Sequence, residues 1–302
     1  MKFTFDKEIR MLRWLLMVAL AGFAGSAEYA WADASAAAAL RVKYEALGER
    51  LRSNPFNRPL VLESSETSNR VSGEIYAVIN QPFQAVSTGL NSPDHWCDVI
   101  SLPMNTKYCR AITDQGNTVL KVNIGKKTAE PLIDAQRIAF TYAVAELSPQ
   151  FLDVRLDAKE GPMGTSNYRI KLEAIPTASA KTFIHLTYSY SVNFAGRLAI
   201  QTYLGTIGRG KVGFTRVGQQ NDGNPQFIDG VRGLVERNTM RYYLAIDSFL
   251  EANNEPAPAA LERRLQSWFS AAELYPRQLH EIERSEYLAM KRDEYKRQQT
   301  SD

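Results

Sequence analysis

From residue 136 to residue 192 the chain alternates large apolar side chains with polar or small ones, through four successive segments. In 136–144 the large residues are Ile138, Phe140, Tyr142 and Val144, separated by Ala139, Thr141 and Ala143. Leu152, Val154 and Leu156 repeat the pattern, and so do Tyr168, Ile170, Leu172 and Ala174. The segment 181–192 is the longest, with Ile184, Leu186, Tyr188, Tyr190 and Val192 on one face and Phe183, His185, Thr187, Ser189 and Ser191 on the other. A period of two predicts strands, and one apolar face per strand predicts an antiparallel sheet covered on one side. Upstream, 71–80 reads as a further strand, 58–64 as a short one, and 102–113 and 117–124 as a pair joined by Asp114-Gln115-Gly116.

Such a sheet needs something to cover its apolar face, and the rest of the chain returns to helical spacing. Residues 230–250 carry the longest helical pattern. Val231, Leu234, Val235, Tyr242, Ala245, Ile246 and Phe249 form its apolar stripe, flanked by Arg232, Glu236, Arg237 and Arg241. Pro82 starts a short helix after the 71–80 strand, and Trp96-Cys97 sit on a second one. Further helices are expected over 33–53, 194–206, 259–275 and 277–298, with 212–217 extended. Segregated strands and helices make the fold α+β. The expected organisation is a leader over 1–32, a helical lead-in over 33–69, the main domain over 70–252 and a helical extension over 253–302.

The N-terminus has the layout of a cleaved secretory signal: Lys2, Lys7, Arg10 and Arg13 precede or enter the apolar run Met11–Phe23, and Ala30-Trp31-Ala32 offers a small-x-small cut site after Ala32. The apolar run is shorter than the roughly 18–20 residues of a membrane span. Export to a periplasm is the expectation. Losing 1–32 removes four basic and three acidic residues, which takes the net charge from +3 to +2. Near-neutral charge without a basic stripe argues against a nucleic-acid partner. Cys97 and Cys109 are the only cysteines, and in an oxidising compartment they are expected to form one structural disulfide. Their spacing does not suit a CxxC metal or redox motif.

Candidate chemistry is sparse. Gly205 to Lys211 matches GxxxxGK, but Val212 stands where a phosphate loop needs Ser or Thr, so a glycine-rich turn is expected. His280-Glu281 lacks the second histidine of a metalloprotease helix, and an exposed helix is expected there. With three histidines in all, neither a metal site nor a cofactor is expected. His185 could act as a base only if it faces a cavity. The Asp153, Arg155 and Asp157 comb reads as a solvated face. Arg137 and Asn238 are polar residues on otherwise apolar or small-residue faces, able to orient a ligand or to satisfy a core network.

The order strand, two helices, antiparallel strands, long helix over about 70–252 resembles the helix-grip fold of the START and polyketide-cyclase-like superfamily. The step from Gly73-Glu74-Ile75-Tyr76-Ala77-Val78-Ile79 through Pro82-Phe83 and the closing helix at 230–250 carry the similarity. The segment 194–217 and the terminal helices depart from it. The resemblance implies a curved sheet wrapped around a long C-terminal helix, with a hydrophobic, lipid-like ligand between them. The residues it implies as ligand-binding are Phe140, Tyr142, Tyr188, Tyr190, Tyr242 and Ile246, with Arg137 and Asn238 as polar anchors. Two alternatives stay open: an enzyme on the same fold, and a non-catalytic module whose 256–298 helices bind an envelope protein.

Overall fold

The computed structural model describes residues 36–300 apart from 207 and 254, so the expected leader and its cut site after Ala32 lie outside the described residues. The chain divides into two compact units, Met1–Ala46 and Leu47–Asp302. The described part of the first is a helix over 36–46 (α1). The second begins with α2 (Gly48–Arg52) and contains an eight-stranded sheet: β1 (Leu60–Glu66), β2 (Arg70–Ile79), β3 (Thr106–Asp114), β4 (Asn117–Ile124), β5 (Gln136–Ser148), β6 (Phe151–Glu160), β7 (Thr165–Pro176) and β8 (Thr182–Val192). Their spatial order is β1-β2-β8-β7-β6-β5-β4-β3, with every neighbouring pair antiparallel. Register shifts in β3, β5 and β7 mark bulges, which bend strands and add twist. The β3–β4 turn works because Gln115 and Gly116 both take positive φ (49° and 80°), as a two-residue hairpin loop requires.

Two short helices, α3 (Phe83–Leu90) and α4 (Pro93–Ser101), fill the crossover from β2 to the far edge strand β3. Trp96 on α4 is fully buried and donates its indole N–H to the Leu90 carbonyl at 2.8 Å. Cys97 of α4 is bonded to Cys109 of β3, with Cα atoms 5.2 Å apart. The expected disulfide is present, and it ties these helices to the sheet edge.

After β8 the chain forms α5 (Phe194–Gly205), a small hairpin of β9 (Arg216–Gln219) and β10 (Pro225–Phe227), and the long helix α6 (Gly230–Glu251). Helix α6 lies across β1, β2 and β8. Close approach depends on Gly73: a Cβ there would stand 2.2 Å from Thr239 Oγ1 and 3.3 Å from the Val235 carbonyl. Replacing Gly73 with Val is expected to lower unfolding free energy by about 2 kcal/mol through overpacking. The urea midpoint should fall while the slope stays constant. An unchanged midpoint would mean that α6 does not depend on this contact.

The curved antiparallel sheet closed by a long C-terminal helix is the helix-grip arrangement, and the fold is α+β as the sequence pattern implied. Beyond α6 the core continues without a break. Helices α7 (Ala257–Glu273), α8 (Pro276–Leu279) and α9 (Arg284–Thr300) turn Trp268, Phe269, Leu279, Tyr287 and Met290 into the same cluster as the sheet. Trp268 and Tyr287 stack at 5.1 Å, and the Tyr287 hydroxyl donates to the Leu102 carbonyl at 2.9 Å. One expectation fails here. The helix read over 277–298 is interrupted, because His280 adopts extended backbone angles (φ −60°, ψ 131°) and ends α8. His280 to Glu283 is therefore a linker rather than an exposed helix.

Candidate functional site

The inward faces of the central strands divide into a part with no accessible surface and a part that keeps a little. Val154, Leu156, Ile170 and Leu172 have no accessible surface. Phe140, Tyr142, Tyr168 and Tyr188, on the same concave face, keep between 4 and 8 %. Opposite them, Leu234, Asn238 and Tyr242 of α6 recur at intervals of four residues and are only half-buried, unlike most of that helix. Spacing of i, i+4 puts them on one stripe. Sheet and helix thus frame a recess walled by aromatic rings.

The rings touch in a chain. Tyr188 meets Tyr242 at 5.2 Å between centroids and Tyr168 at 6.2 Å, while Tyr168 stacks on Tyr190 at 5.2 Å and meets Phe140 edge-on at 6.3 Å. Asn238 hydrogen-bonds the Tyr188 hydroxyl and accepts from Arg241 Nη1 at 3.1 Å. Burial pushes the Tyr188 phenol far above its ordinary pKa, opposed in part by Asn238. The Tyr142 hydroxyl is buried without any hydrogen-bond partner, and burial alone raises its pKa. Leaving a buried hydroxyl unpaired costs about 1–3 kcal/mol. The recess therefore offers aromatic walls with two or three polar groups at fixed positions, which is the make-up of a small-molecule site.

Of the residues that the sequence offers as ligand-binding, Phe140, Tyr188, Tyr190, Asn238 and Tyr242 form one connected group through Tyr168, and Tyr142 shares the inner face of β5 with Phe140. Two others do not join them. Arg137 is exposed on the opposite face of β5, because its odd-numbered position shares the side of Ala139 and Thr141. It borders an outer groove of about 770 Å³ with Tyr108, Lys121, Asn123 and Lys159. Ile246 is fully buried, one turn beyond Tyr242. It belongs to the sealed core. Tyr168 was the wall residue that the sequence reading passed over, although its parity with Ile170 and Leu172 places it on the inner face.

His185 is not in the recess. It lies on the outer face of β8, with Nδ1 3.0 Å from Glu173 and Nε2 2.9 Å from Glu74, and its ring stacks on Tyr76 at 4.2 Å. Burial disfavours its charged form, but the hydrogen bonds to Glu173 and Glu74 outweigh this and raise its pKa. A base in the cavity is thereby ruled out for this residue. The Asp153, Arg155 and Asp157 comb shares this outer face, though Asp153 is buried beneath Arg155 and Lys171 rather than solvated.

The charged flank of α6 is also not solvated. Glu236, Arg237 and Arg241 are all buried. The segment after α5 crosses the helix here, with Gly213 so close that a Cβ would stand 2.9 Å from the Gly233 Cα. Glu236 accepts from the Phe214 and Thr215 amides at 2.6 and 2.9 Å, from the Thr215 hydroxyl at 2.6 Å and from Ser64 at 2.5 Å. Glu281 of the α8–α9 linker accepts from Lys127 Nζ at 2.5 Å and Arg241 Nη2 at 2.8 Å. Lys211, from the glycine-rich turn, stands 3.9 Å from Glu281 and donates to the His280 carbonyl. Among the described residues there is no group of three or more metal-ligating side chains, and no helix is long and apolar enough to cross a membrane.

No protein-family model matches this chain, and no curated protein sequence matches it. Solved structures do. A norcoclaurine synthase from Thalictrum flavum, a point mutant in complex with a transition-state analogue, is 16% identical over 47% of this chain and 91% of its own, with a TM-score of 0.34. Ara h 8.0201 is 10% identical over 61% of this chain and 99% of its own, with a TM-score of 0.35. Human StAR-related lipid transfer protein 5 is 8% identical over 80% and 97%, with a TM-score of 0.30. The fold assignment rests on the strand order, the crossover helices and the position of α6, and these place the chain among helix-grip architectures.

Proposed function

We propose that this chain is an exported, non-catalytic carrier of a hydrophobic, lipid-like ligand held between the sheet and α6. The observation that carries the reading is the aromatic recess. Phe140, Tyr142, Tyr168, Tyr188 and Tyr242 converge on a region where the wall residues keep accessible surface and the Tyr142 hydroxyl lacks a partner. These rings keep a little accessible surface where the aliphatic residues beside them keep none, which supports a site at this place. The position of His185 on the outer face removes the one base that the sequence offered for an enzyme in this cavity. The Cys97–Cys109 bond supports export, because such bonds persist in oxidising compartments. The periplasm is the compartment that this and the N-terminal pattern favour.

The test is titration with the fluorescent polyene cis-parinaric acid. Wild-type protein is expected to bind it saturably. Tyr142→Ala and Tyr242→Ala should each weaken binding by about tenfold, since truncating an aromatic anchor in a buried site costs upward of 1–2 kcal/mol. Absence of saturable binding by the wild type would end the carrier reading.

A further inference from the structure

Four cations from three separate parts of the chain meet beside the recess: Arg237 and Arg241 on α6, Lys127 from the β4–β5 connection, and Lys211 from the turn after α5. Two carboxylates face them. Glu281 already receives Lys127 and Arg241 on one oxygen, with Lys211 3.9 Å from the other. Glu236 is occupied by Ser64, Phe214 and Thr215. The cluster is left short of negative charge by two.

Arg237 is where the shortfall is concentrated. It is 1% exposed, and its Nε and Nη1 donate to nothing. A buried guanidinium is retained at a cost unless something pairs with it. Burial first, and then Arg241, lowers its pKa to about 10, and the same two causes bring Lys127 to about 8. Both remain predominantly charged at neutral pH. The cluster also joins the recess. Positions 234, 237, 238, 241 and 242 share one side of α6, and Asn238 links Arg241 to Tyr188. An arginine fork is matched to the paired oxygens of a carboxylate or phosphate.

We infer that Arg237, Arg241, Lys127 and Lys211 form an oxyanion subsite that holds the acidic headgroup of an amphiphile whose apolar chain occupies the aromatic recess. This rests on the carrier reading and narrows it to acidic ligands. The phenol of Tyr203 stands near Glu281, Arg241 and Arg237, and Lys127 Nζ lies 6.0 Å from the centre of its ring.

The experiment compares cis-parinaric acid with its methyl ester, which keeps the chain and removes the charge. The wild type is expected to prefer the acid by about tenfold or more, equivalent to one charge-assisted hydrogen-bond pair. Arg237→Met and Lys127→Met should each bring the acid-to-ester ratio to within about threefold of unity. Arg237→Met should also raise the melting temperature of the unliganded protein, because an unpaired buried charge is removed. If Arg237→Met does not fold, Lys127→Met supplies the ratio. Inorganic phosphate should weaken binding of the acid and leave the ester's titration in place. Equal affinity for acid and ester overturns the subsite and leaves the carrier standing. Binding of neither probe overturns the carrier. Phosphate binding by calorimetry with neither probe bound would mean a free-anion site and contradict the amphiphile assignment.

Discussion

Replacing Glu294 with Ala is expected to destabilise the protein by about 3–5 kcal/mol, the cost of breaking a buried ion pair from one side. Glu294 on α9 is paired with two lysines, with Lys107 Nζ 3.1 Å from one oxygen and Lys291 Nζ 2.8 Å from the other. The Lys107 side chain is fully buried and that of Lys291 is 3% exposed, so neither can turn to water. Burial lowers the Lys291 pKa to about 8 in spite of Glu294. Both ammonium groups also donate to carbonyls, Lys107 to Met104 and Thr128, and Lys291 to Thr106. Those bonds survive the substitution, but the shared counter-charge does not. The network pins α9 against β3, so loss of Glu294 should release the C-terminal helix. Urea unfolding should show the midpoint shift. A loss below about 1 kcal/mol would mean that the lysines find water or shed protons when α9 is present.

The second large effect is expected from the disulfide. Changing Cys97 and Cys109 together to Ser should cost roughly 3 kcal/mol on the loop-entropy estimate for a short closed loop. The bond joins α4 to β3, and α4 also packs on α6, so the effect should reach the long helix. Reductant should lower the melting temperature of the wild type and leave the double Ser variant where it is. Equal melting temperatures of oxidised and reduced wild type would contradict a structural role.

Much of the fold was legible because period-two alternation leaves little freedom of register. In β5, Ile138, Phe140 and Tyr142 face inward as their spacing requires, and β8 behaves likewise. The same rule misplaced Arg137 only because its small neighbours suggested an interior face. Small residues on an outer face are neutral to packing and carry no signal about side. What the sequence hid was tertiary covering. Arg237 and Arg241 read only as a charged flank, and nothing local announces that residues 213–215 and the α8–α9 linker close over them. Glu281 was equally hidden, since its role depends on Lys127 and Arg241, each far away in the chain. Asn238 was visible as a polar residue on an apolar stripe, and its bonds to Tyr188 and Arg241 give that position its physical reason.

The most direct measurement is mass spectrometry of a solvent extract from protein purified without detergent. Wild type should release an acidic amphiphile in near-stoichiometric amount. Asn238→Trp, which fills the space between α6 and Tyr188, should release none while melting cooperatively. An extract without any bound amphiphile, or one equal in the wild type and Asn238→Trp, would contradict a ligand between the sheet and the long helix.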